Sequence, residues 1–213
     1  MYIHHNRTLV RGYSMDMEKE KLIRFILSVH SMPQQQADEI VAFFKEKEFS
    51  KNDFLLKEGR VCNKYHILKE GFARAYTYDL EGNDVTTAFY SANQVVCELF
   101  SFFKRIPSRE NIQALSDCKT WYITYEELQI VFHSMPQFRE FGRSILVNAY
   151  ASLKQRMLST LHETAEERYS NLIRSNPDIF QYAPLKNIAS FLGVTDTSLS
   201  RIRKEFAKNQ TDH

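Results

Sequence analysis

The segment from Leu185 to Phe206 constrains the fold most, because it holds two short amphipathic patterns separated by a single glycine. In the first pattern, apolar side chains recur at helical spacing at Ile188, Ala189 and Leu192. Gly193 follows, and since glycine adopts positive φ at little cost, it predicts a tight turn. The small side chain of Ala189 allows a second helix to cross the first closely.

Thr195 is placed to cap that second helix, in which Leu199, Ile202 and Phe206 recur at spacings of three and four residues. Two helices joined in this way form a helix-turn-helix, whose second helix enters the major groove of DNA. The alternative is an ordinary helical hairpin with a solvated basic side. The agreement of the glycine, the alanine and the apolar positions favours the helix-turn-helix.

The outward side of the second helix is basic and rich in hydroxyl groups. Residues 196–208 carry four basic and two acidic side chains, which leaves a local charge of +2. Arg201 is the first candidate to read a guanine, since a guanidinium bonds O6 and N7 together. Thr197 and Ser198 are the next candidates. The predicted DNA-binding residues are Thr195, Thr197, Ser198, Ser200, Arg201, Lys204 and Lys208.

The chain before this segment changes from a helical to a β pattern. Residues 16–48 are predicted to be helical, with one helix starting at Ser31-Met32-Pro33. In residues 72–78, large and small side chains alternate, as in a half-buried strand, and the turn at Gly82 makes 72–90 a hairpin. Further β segments at 112–117 and 119–124 complete a set of short strands typical of a β-sandwich or β-barrel.

A second Ser-Met-Pro sequence, at residues 134–136, marks the start of a long helix. Its apolar side chains recur every three or four residues over several turns, so they form one stripe. We expect this stripe to pair with a second copy of the chain, although burial within one chain stays open. The predicted dimerisation residues are Phe138, Phe141, Ile145, Ala149 and Leu153.

Composition narrows the classes of function. The net charge of +2 requires no polyanionic partner, and no apolar run is long enough to cross a bilayer. Three cysteines without CxxC spacing argue against a disulfide framework, a zinc site or an iron-sulfur cluster within one chain, and they favour a reducing cytoplasm. We find no phosphate loop, dinucleotide fingerprint or nucleophile elbow, so we predict no enzyme, cofactor or metal site.

The order of these parts resembles the Crp/Fnr family of bacterial transcription regulators over nearly all of residues 20–208. Lys57-Glu58-Gly59 and Lys69-Glu70-Gly71 are similar to the family's strand turns, and Leu192-Gly193-Val194-Thr195 and Leu199-Ser200-Arg201-Ile202-Arg203 to its recognition helix. The resemblance implies an α+β fold, with an N-terminal β-roll (a double-stranded β-helix of the cyclic-nucleotide-binding type), a long dimerisation helix and a C-terminal winged helix-turn-helix. The predicted boundaries are 1–15 for a loose tail, 16–133 for the effector domain, 134–160 for the dimerisation helix and 161–213 for the DNA-binding domain.

Nucleotide-binding members of this family carry a cassette of the form G-E-L, followed by R-S/T-A. The corresponding positions here are Cys97, Glu98, Leu99, Ser108 and Arg109. Glu98 and Leu99 fit the pattern, but Cys97 replaces the glycine and Ser108 falls where the phosphate-binding arginine belongs. Arg109 is one residue out of register, and on a strand such a slip turns a side chain to the opposite face.

The aromatic side chains Phe100, Phe102 and Phe103 are expected to crowd the same space, and Glu110 adds a negative charge. We therefore expect no binding of cyclic AMP or cyclic GMP. The pocket is either filled by side chains or accepts an apolar or unidentified effector. Cys97 is read as a small packing residue, since buried cysteines mostly behave in this way.

These observations predict a homodimeric, sequence-specific DNA-binding regulator that acts in the cytoplasm on a near-palindromic operator. The resemblance also allows RNA polymerase as a partner, and no membrane partner is expected. A ligand-sensing β-roll whose C-terminal domain contacts protein is the competing hypothesis. The sequence does not identify the operator, the target genes, or whether the protein activates or represses transcription.

Overall fold

A computed structural model describes residues 19–211, with side chains up to Lys208. The predicted tail, 1–15, lies outside the described residues, as do 16–18, 212 and 213. The described part starts with helix α1, at 19–29, and helix α2, Gln34–Val41. Ser31 precedes this helix and is a residue type that favours the N-cap, but Pro33 holds the N-cap position without a side-chain hydrogen bond.

The predicted helix over 16–48 is also too long, because β1 occupies Lys45–Phe49. This strand alternates lysine and glutamate and carries only one buried side chain, at Phe49, which removes the apolar signal of a strand. It forms because it pairs antiparallel with a later strand at the edge of a sheet, where charged side chains face solvent.

Within residues 19–211, eight strands form two four-stranded antiparallel sheets, in the orders β1-β8-β3-β6 and β2-β7-β4-β5. The two sheets enclose the main core, so the predicted β-roll is confirmed. The remaining strands are β2 Phe54–Leu56, β3 Lys64–Glu70, β4 Ala73–Tyr78, β5 Asp84–Tyr90, β6 Gln94–Val96, β7 Asn111–Ala114 and β8 Cys118–Thr124.

The β4–β5 hairpin forms as predicted, with Gly82 at positive φ in its turn. The expected half-burial of β4 is wrong in its first half, where Ala73, Arg74, Ala75 and Tyr76 are all buried. One face of the strand points into the roll, and the C-terminal helices approach the other. The strand therefore lies inside the molecule rather than at its surface.

Two helices flank the cassette and the end of the roll. Helix α3, Leu99–Lys104, starts at the cassette, and α4, Tyr125–Ser134, follows β8 directly. Thr124 caps α4 in a reciprocal arrangement with Glu127, which fixes where the last strand becomes a helix. This helix was not predicted from the sequence, because its run of regularly spaced apolar side chains is short.

The long helix α5 spans Pro136–His162, with Pro136 in its first turn as predicted. Four shorter helices complete the described chain: α6 Ala165–Ser175, α7 Ile179–Tyr182, α8 Leu185–Leu192 and α9 Asp196–Thr211. Residues 125–211 contain no strand, so the wing implied by the resemblance does not form in this described part. After the turn at Gly193, α9 continues as one helix from Asp196 to Thr211. Among the described residues, no helix is long and apolar enough to cross a membrane.

Candidate nucleic-acid interface

Helices α8 and α9 meet at the turn that the sequence predicts. Gly193 adopts φ 68°, and the amide of Val194 donates to the carbonyl of Ala189 over 3.0 Å, which closes the end of α8. Ala189 is 1% exposed and belongs to the same buried core as Leu199 and Ile202 of α9. The turn geometry thus follows from two small residues that are close in sequence.

Helix α9 begins with a hydroxyl cap. The Thr195 Oγ1 accepts a hydrogen bond from the Ser198 amide at 3.2 Å and donates to the Ser198 Oγ at 3.0 Å. Leu199 and Ile202 are fully buried, while Phe206 is half-buried against the ring of Tyr169. These contacts hold α9 against α6 and α8 with its opposite face outward.

The outward face of α9 carries one continuous stripe. Thr197, Arg201 and Lys204 are exposed at spacings of four and three residues, and Lys208 is exposed one turn further on. Ser200 is exposed beside this stripe. Of the predicted DNA-binding residues, Ser198 is the least exposed, because its hydroxyl is engaged in the helix cap.

Arg203 points away from the exposed stripe. The residue is exposed, but its guanidinium lies 4.9 Å from the centre of the Phe180 ring in α7. Burial raises the pKa of the neighbouring Tyr169, and the charge of Arg203 partly opposes that rise. The positive charge of Arg203 therefore serves the packing of α9 on α6 and α7.

The helix-turn-helix is docked on the β4–β5 hairpin by aromatic and polar contacts. The rings of Phe72 and Tyr182 stack at 5.4 Å, and those of Phe89 and Phe191 lie 5.1 Å apart. The Thr86 amide donates to the Oγ of Ser190 in α8 over 3.2 Å. The hairpin and α8 consequently share one core, and α9 takes a fixed position relative to the roll.

Arg156, near the end of α5, joins three elements at this contact. Its guanidinium donates to the carbonyl of Thr87 in β5 and, over 3.3 Å, to the carbonyl of Phe191 in α8. It also lies 4.0 Å from the centre of the Phe191 ring. Burial lowers the pKa of Arg156, while the nearby Glu110 carboxylate opposes this effect. The long helix is thereby linked to both the roll and the helix-turn-helix.

A buried ion pair supports the same hairpin. Arg74 donates to Asp84 at 2.8 Å and to the Thr86 hydroxyl at 3.2 Å, and its side chain is 7% exposed. Lys186 in α8 lies 3.7 Å from the second oxygen of Asp84. Burial alone would raise the pKa of Asp84, but the hydrogen bond and charge of Arg74 hold it below its ordinary value.

The two ends of the apolar stripe on α5 have different surroundings. Phe138 and Phe141 are each 1% exposed and stack against one another within the core of their own chain. Ile145 is half-buried against that core. The prediction that these side chains contact a second copy is wrong for Phe138 and Phe141, because α1 and α4 already cover them.

Further along α5, Ala149 and Leu153 are exposed as a partner surface requires. Large apolar side chains around them are also exposed, each by two-fifths or more of its surface. We call this set the α5 apolar face, and it comprises Leu146, Tyr150, Leu153, Met157 and Leu161.

In the cassette, Glu98 has a local structural partner. Its carboxylate caps α3, accepting hydrogen bonds from the amides of Phe100 at 3.0 Å and of Ser101 at 2.8 Å. Leu99 starts that helix and packs against the main core. The carboxylate thus occupies the amide groups that an anion at this helix start would need.

Phe100 does not crowd the pocket, contrary to expectation, because its side chain is 63% exposed. Phe102 is fully buried, but it packs between Tyr65 and Tyr125. Phe103 is half-buried and lies edge-on to Phe102. The helix turns these aromatic side chains in different directions, which a linear reading of the cassette misses.

Ser108 and Arg109 point in different directions. Ser108 is buried, and its hydroxyl donates to the Glu110 carbonyl at 2.8 Å and accepts from the Glu110 amide at 3.0 Å. The side chain of Arg109 is exposed. Burial raises the pKa of the Glu110 carboxyl, and the negative charge of Glu98 adds to that rise. The interior beside the cassette therefore holds carboxylates rather than an arginine of the cassette.

Sequence reasoning missed Arg156, and it also missed Arg168, which donates to the carbonyl of Leu192 at the end of α8 from 3.0 Å. Apart from the Glu163 carbonyl, to which Arg168 also donates, the partners of these arginines lie 24 to 69 residues away in sequence. No local pattern marks such residues, so only the folded chain reveals them.

The chain shows recognisable similarity to known proteins. The cyclic nucleotide-binding domain family matches residues 46–134. The fumarate and nitrate reduction regulatory protein of Vibrio cholerae is 24% identical over 189 residues, which cover 82% of this chain and 73% of that protein. FixK2 from Bradyrhizobium japonicum superposes with a TM-score of 0.65 at 16% identity, covering 78% of this chain and 86% of the other.

A putative regulator of the Crp/Fnr family from Eubacterium rectale gives a TM-score of 0.64 at 14% identity, covering 84% of this chain and 85% of that one. The fold combines a nucleotide-binding-type β-roll, a long helix and a terminal helix-turn-helix, and the curated relatives are named as regulatory proteins. The chain is thus similar to transcription regulators of the Crp/Fnr type over most of its length.

Proposed function

We propose that the chain is a sequence-specific DNA-binding regulator that acts as a homodimer in the cytoplasm. The observation that carries the proposal is the orientation of α9. Its apolar side chains are buried, whereas Thr197, Arg201 and Lys204 form an exposed stripe. A basic, hydroxyl-bearing helix face of this kind fits the major groove, where early residues meet base edges and later cations meet phosphates.

The homodimer is supported by the α5 apolar face. Leu153 is 66% exposed and Leu161 is 70% exposed, and continuous apolar stripes of this kind in water normally contact another surface. A second copy offers the same stripe, so two-fold pairing buries both at once. Two α9 helices in such a dimer address successive major grooves, about 34 Å apart, and select a near-palindromic site.

We further propose that this cassette does not bind cyclic AMP or cyclic GMP. Glu98 already caps α3, Ser108 bonds to its own loop, and Arg109 is exposed. A cyclic phosphate placed beside Glu98 and Glu110 would meet negative charge in a partly buried site. Isothermal titration with both nucleotides should give no binding heat, and a saturable heat for either would contradict this part of the proposal.

DNA binding is tested by selecting bound sequences from a random duplex pool. The wild-type chain should enrich a near-palindromic sequence, and Arg201→Ala should relax the base preference at one position of each half-site. Lys204→Ala should weaken binding to all sequences alike and reduce the slope of log K against log salt by about 1. Lys51→Ala, an exposed lysine in the β1–β2 turn, is the matched control and should change neither property.

The competing hypothesis, in which the C-terminal unit contacts protein, predicts a different result. In that case the pool would yield no enriched sequence, and both variants of α9 would bind duplex DNA as weakly as wild type does. That outcome would refute the proposed regulator function.

A further inference from the structure

Two of the three cysteines are in contact inside the roll. Cys62, just before β3, and Cys97, just before the cassette glutamate, are 35 residues apart, yet their sulfur atoms lie 3.8 Å from one another. Both thiols are free and buried. Cys118 is also buried, but its sulfur faces the carbonyls of Phe72 and Ser116 at 3.4 Å and 3.3 Å. The chain therefore contains one thiol pair and one separate buried thiol.

This pair lies at the base of α3. The amide of Cys62 donates to the Ser101 hydroxyl over 2.9 Å, and Arg105, at the end of α3, donates to the Cys62 carbonyl over 3.0 Å. Cys97 directly precedes Glu98, the N-cap of the same helix. The two sulfur atoms thus join the loop before β3 to both ends of the cassette helix.

The two thiols differ in acidity. The hydrogen bond from the Cys97 thiol lowers the pKa of Cys62, whereas burial raises the pKa of Cys97 well above its ordinary value. Cys62 also lies at a surface groove that Lys57 and Arg60 line, although the residue itself is 4% exposed. Cys62 is consequently the attacking thiolate and Cys97 the resolving thiol.

We propose that Cys62 and Cys97 form a redox-active dithiol that a hydroperoxide converts into an intramolecular disulfide. The Cys62 thiolate attacks the peroxide and becomes a sulfenic acid, and one water forms once the leaving hydroxide takes a proton. The Cys97 thiol then attacks the sulfenic sulfur, which forms the S–S bond and releases a second water. One hydrogen peroxide is reduced by two electrons, and both thiols lose their protons.

Disulfide formation has a structural consequence for the cassette. The S–S distance must shorten from 3.8 Å to about 2.05 Å, which draws the residue before Glu98 toward β3. Because Glu98 caps the start of α3 and Arg105, at its end, donates to the Cys62 carbonyl, the shift reaches both ends of the same short helix. Oxidation therefore acts on the element that nucleotide-binding relatives use to hold their ligand.

The test uses the full chain, purified in reductant and then treated with graded hydrogen peroxide. Remaining thiols are alkylated, and a non-reducing proteolytic digest is analysed by mass spectrometry. We expect a peptide cross-linked through Cys62 and Cys97, the loss of both thiols together, and full recovery with dithiothreitol. Exclusive cross-links to Cys118 or between chains, or only irreversible sulfonic acids, would overturn the proposal.

Single variants sharpen the test. Cys62→Ser and Cys97→Ser should each abolish the cross-link, and Cys62→Ser should also abolish trapping of a sulfenic acid by dimedone. Cys97→Ser should increase dimedone labelling at Cys62, since the resolving thiol is missing. Cys118→Ser, the matched buried control, should oxidise like wild type. The wild-type digest decides the proposal even if a serine variant folds poorly.

Discussion

Replacing Asp84 by asparagine should weaken both the β4–β5 hairpin and the docking of α8. Asp84 accepts from Arg74 at 2.8 Å and lies 3.7 Å from Lys186, so the change removes the negative charge between two cations. The Arg74 side chain is only 7% exposed, and it would stay buried with its positive charge uncompensated. Shape is almost unchanged, so the effect is electrostatic.

The magnitude follows from the burial of the two partners. Removing one partner from a fully buried pair costs about 3–5 kcal/mol. Asp84 is 20% exposed, and Arg74 keeps the Thr86 hydroxyl and the Tyr76 ring, 4.1 Å away, as further contacts. We therefore expect a loss of about 2 kcal/mol in the free energy of unfolding. Lys186→Met should cost less than about 1 kcal/mol, because the lysine side chain is 65% exposed.

Urea unfolding measures these values through the fluorescence of Trp121, the single tryptophan, which is buried in β8. A double-mutant cycle with Arg74→Met and Asp84→Asn isolates the pair, and the double variant should lose at least about 1 kcal/mol less than the sum of the single variants. If Asp84→Asn changes the free energy by less than about 0.5 kcal/mol, or if the two changes are additive, the pair does not stabilise the hairpin as argued.

Three further predictions concern other parts of the molecule. Leu153→Asp should convert the dimer into a folded monomer, measured by analytical ultracentrifugation, and should lower DNA affinity at least tenfold. A variant that stays dimeric with full affinity would exclude the α5 apolar face as the dimer interface. Gly71→Ala should lower the free energy of unfolding in urea by more than about 3 kcal/mol, since its Cβ would lie 2.3 Å from a backbone oxygen. Gly193→Ala, with open space around it, should cost only about 1–2 kcal/mol, and equal losses would contradict this reasoning. Burial, with nearby lysine charges, lowers the pKa of His66 to about 3, so the unfolded chain binds a proton at a higher pH than the folded chain does. The free energy of unfolding should therefore fall by about 1.4 kcal/mol per pH unit from pH 6.5 toward 3. His66→Asn should lose this pH dependence, and a variant with the wild-type pH profile would refute the role of His66.

The order of the parts could be predicted because it depends on local signals. The turn at Gly193, the cap at Thr195 and the inward positions Leu199 and Ile202 all involve residues within one or two helical turns. The hairpin around Gly82 is equally local. Such features are determined by side-chain spacing and by the backbone preferences of single residues, which the sequence displays directly.

Elements without an apolar period were predicted less well. β1 is a charged edge strand whose residues pair with positions 69 to 77 residues away in β8, so its strand character comes from its partner. The wing inferred from the resemblance is absent from the described residues, since α9 continues as a helix to Thr211.

The sequence by itself determined the helix-turn-helix, the strand-rich centre and the long helix, because hydrogen bonds and side-chain periods within a few residues define them. Only the tertiary structure decided that Phe138 is buried in its own chain, that Arg156 links β5 to α8, and that Cys62 meets Cys97. These contacts join residues that are far apart in the chain. Their free energy depends on burial and on the geometry of approach, which exist only once the sheets and helices have packed.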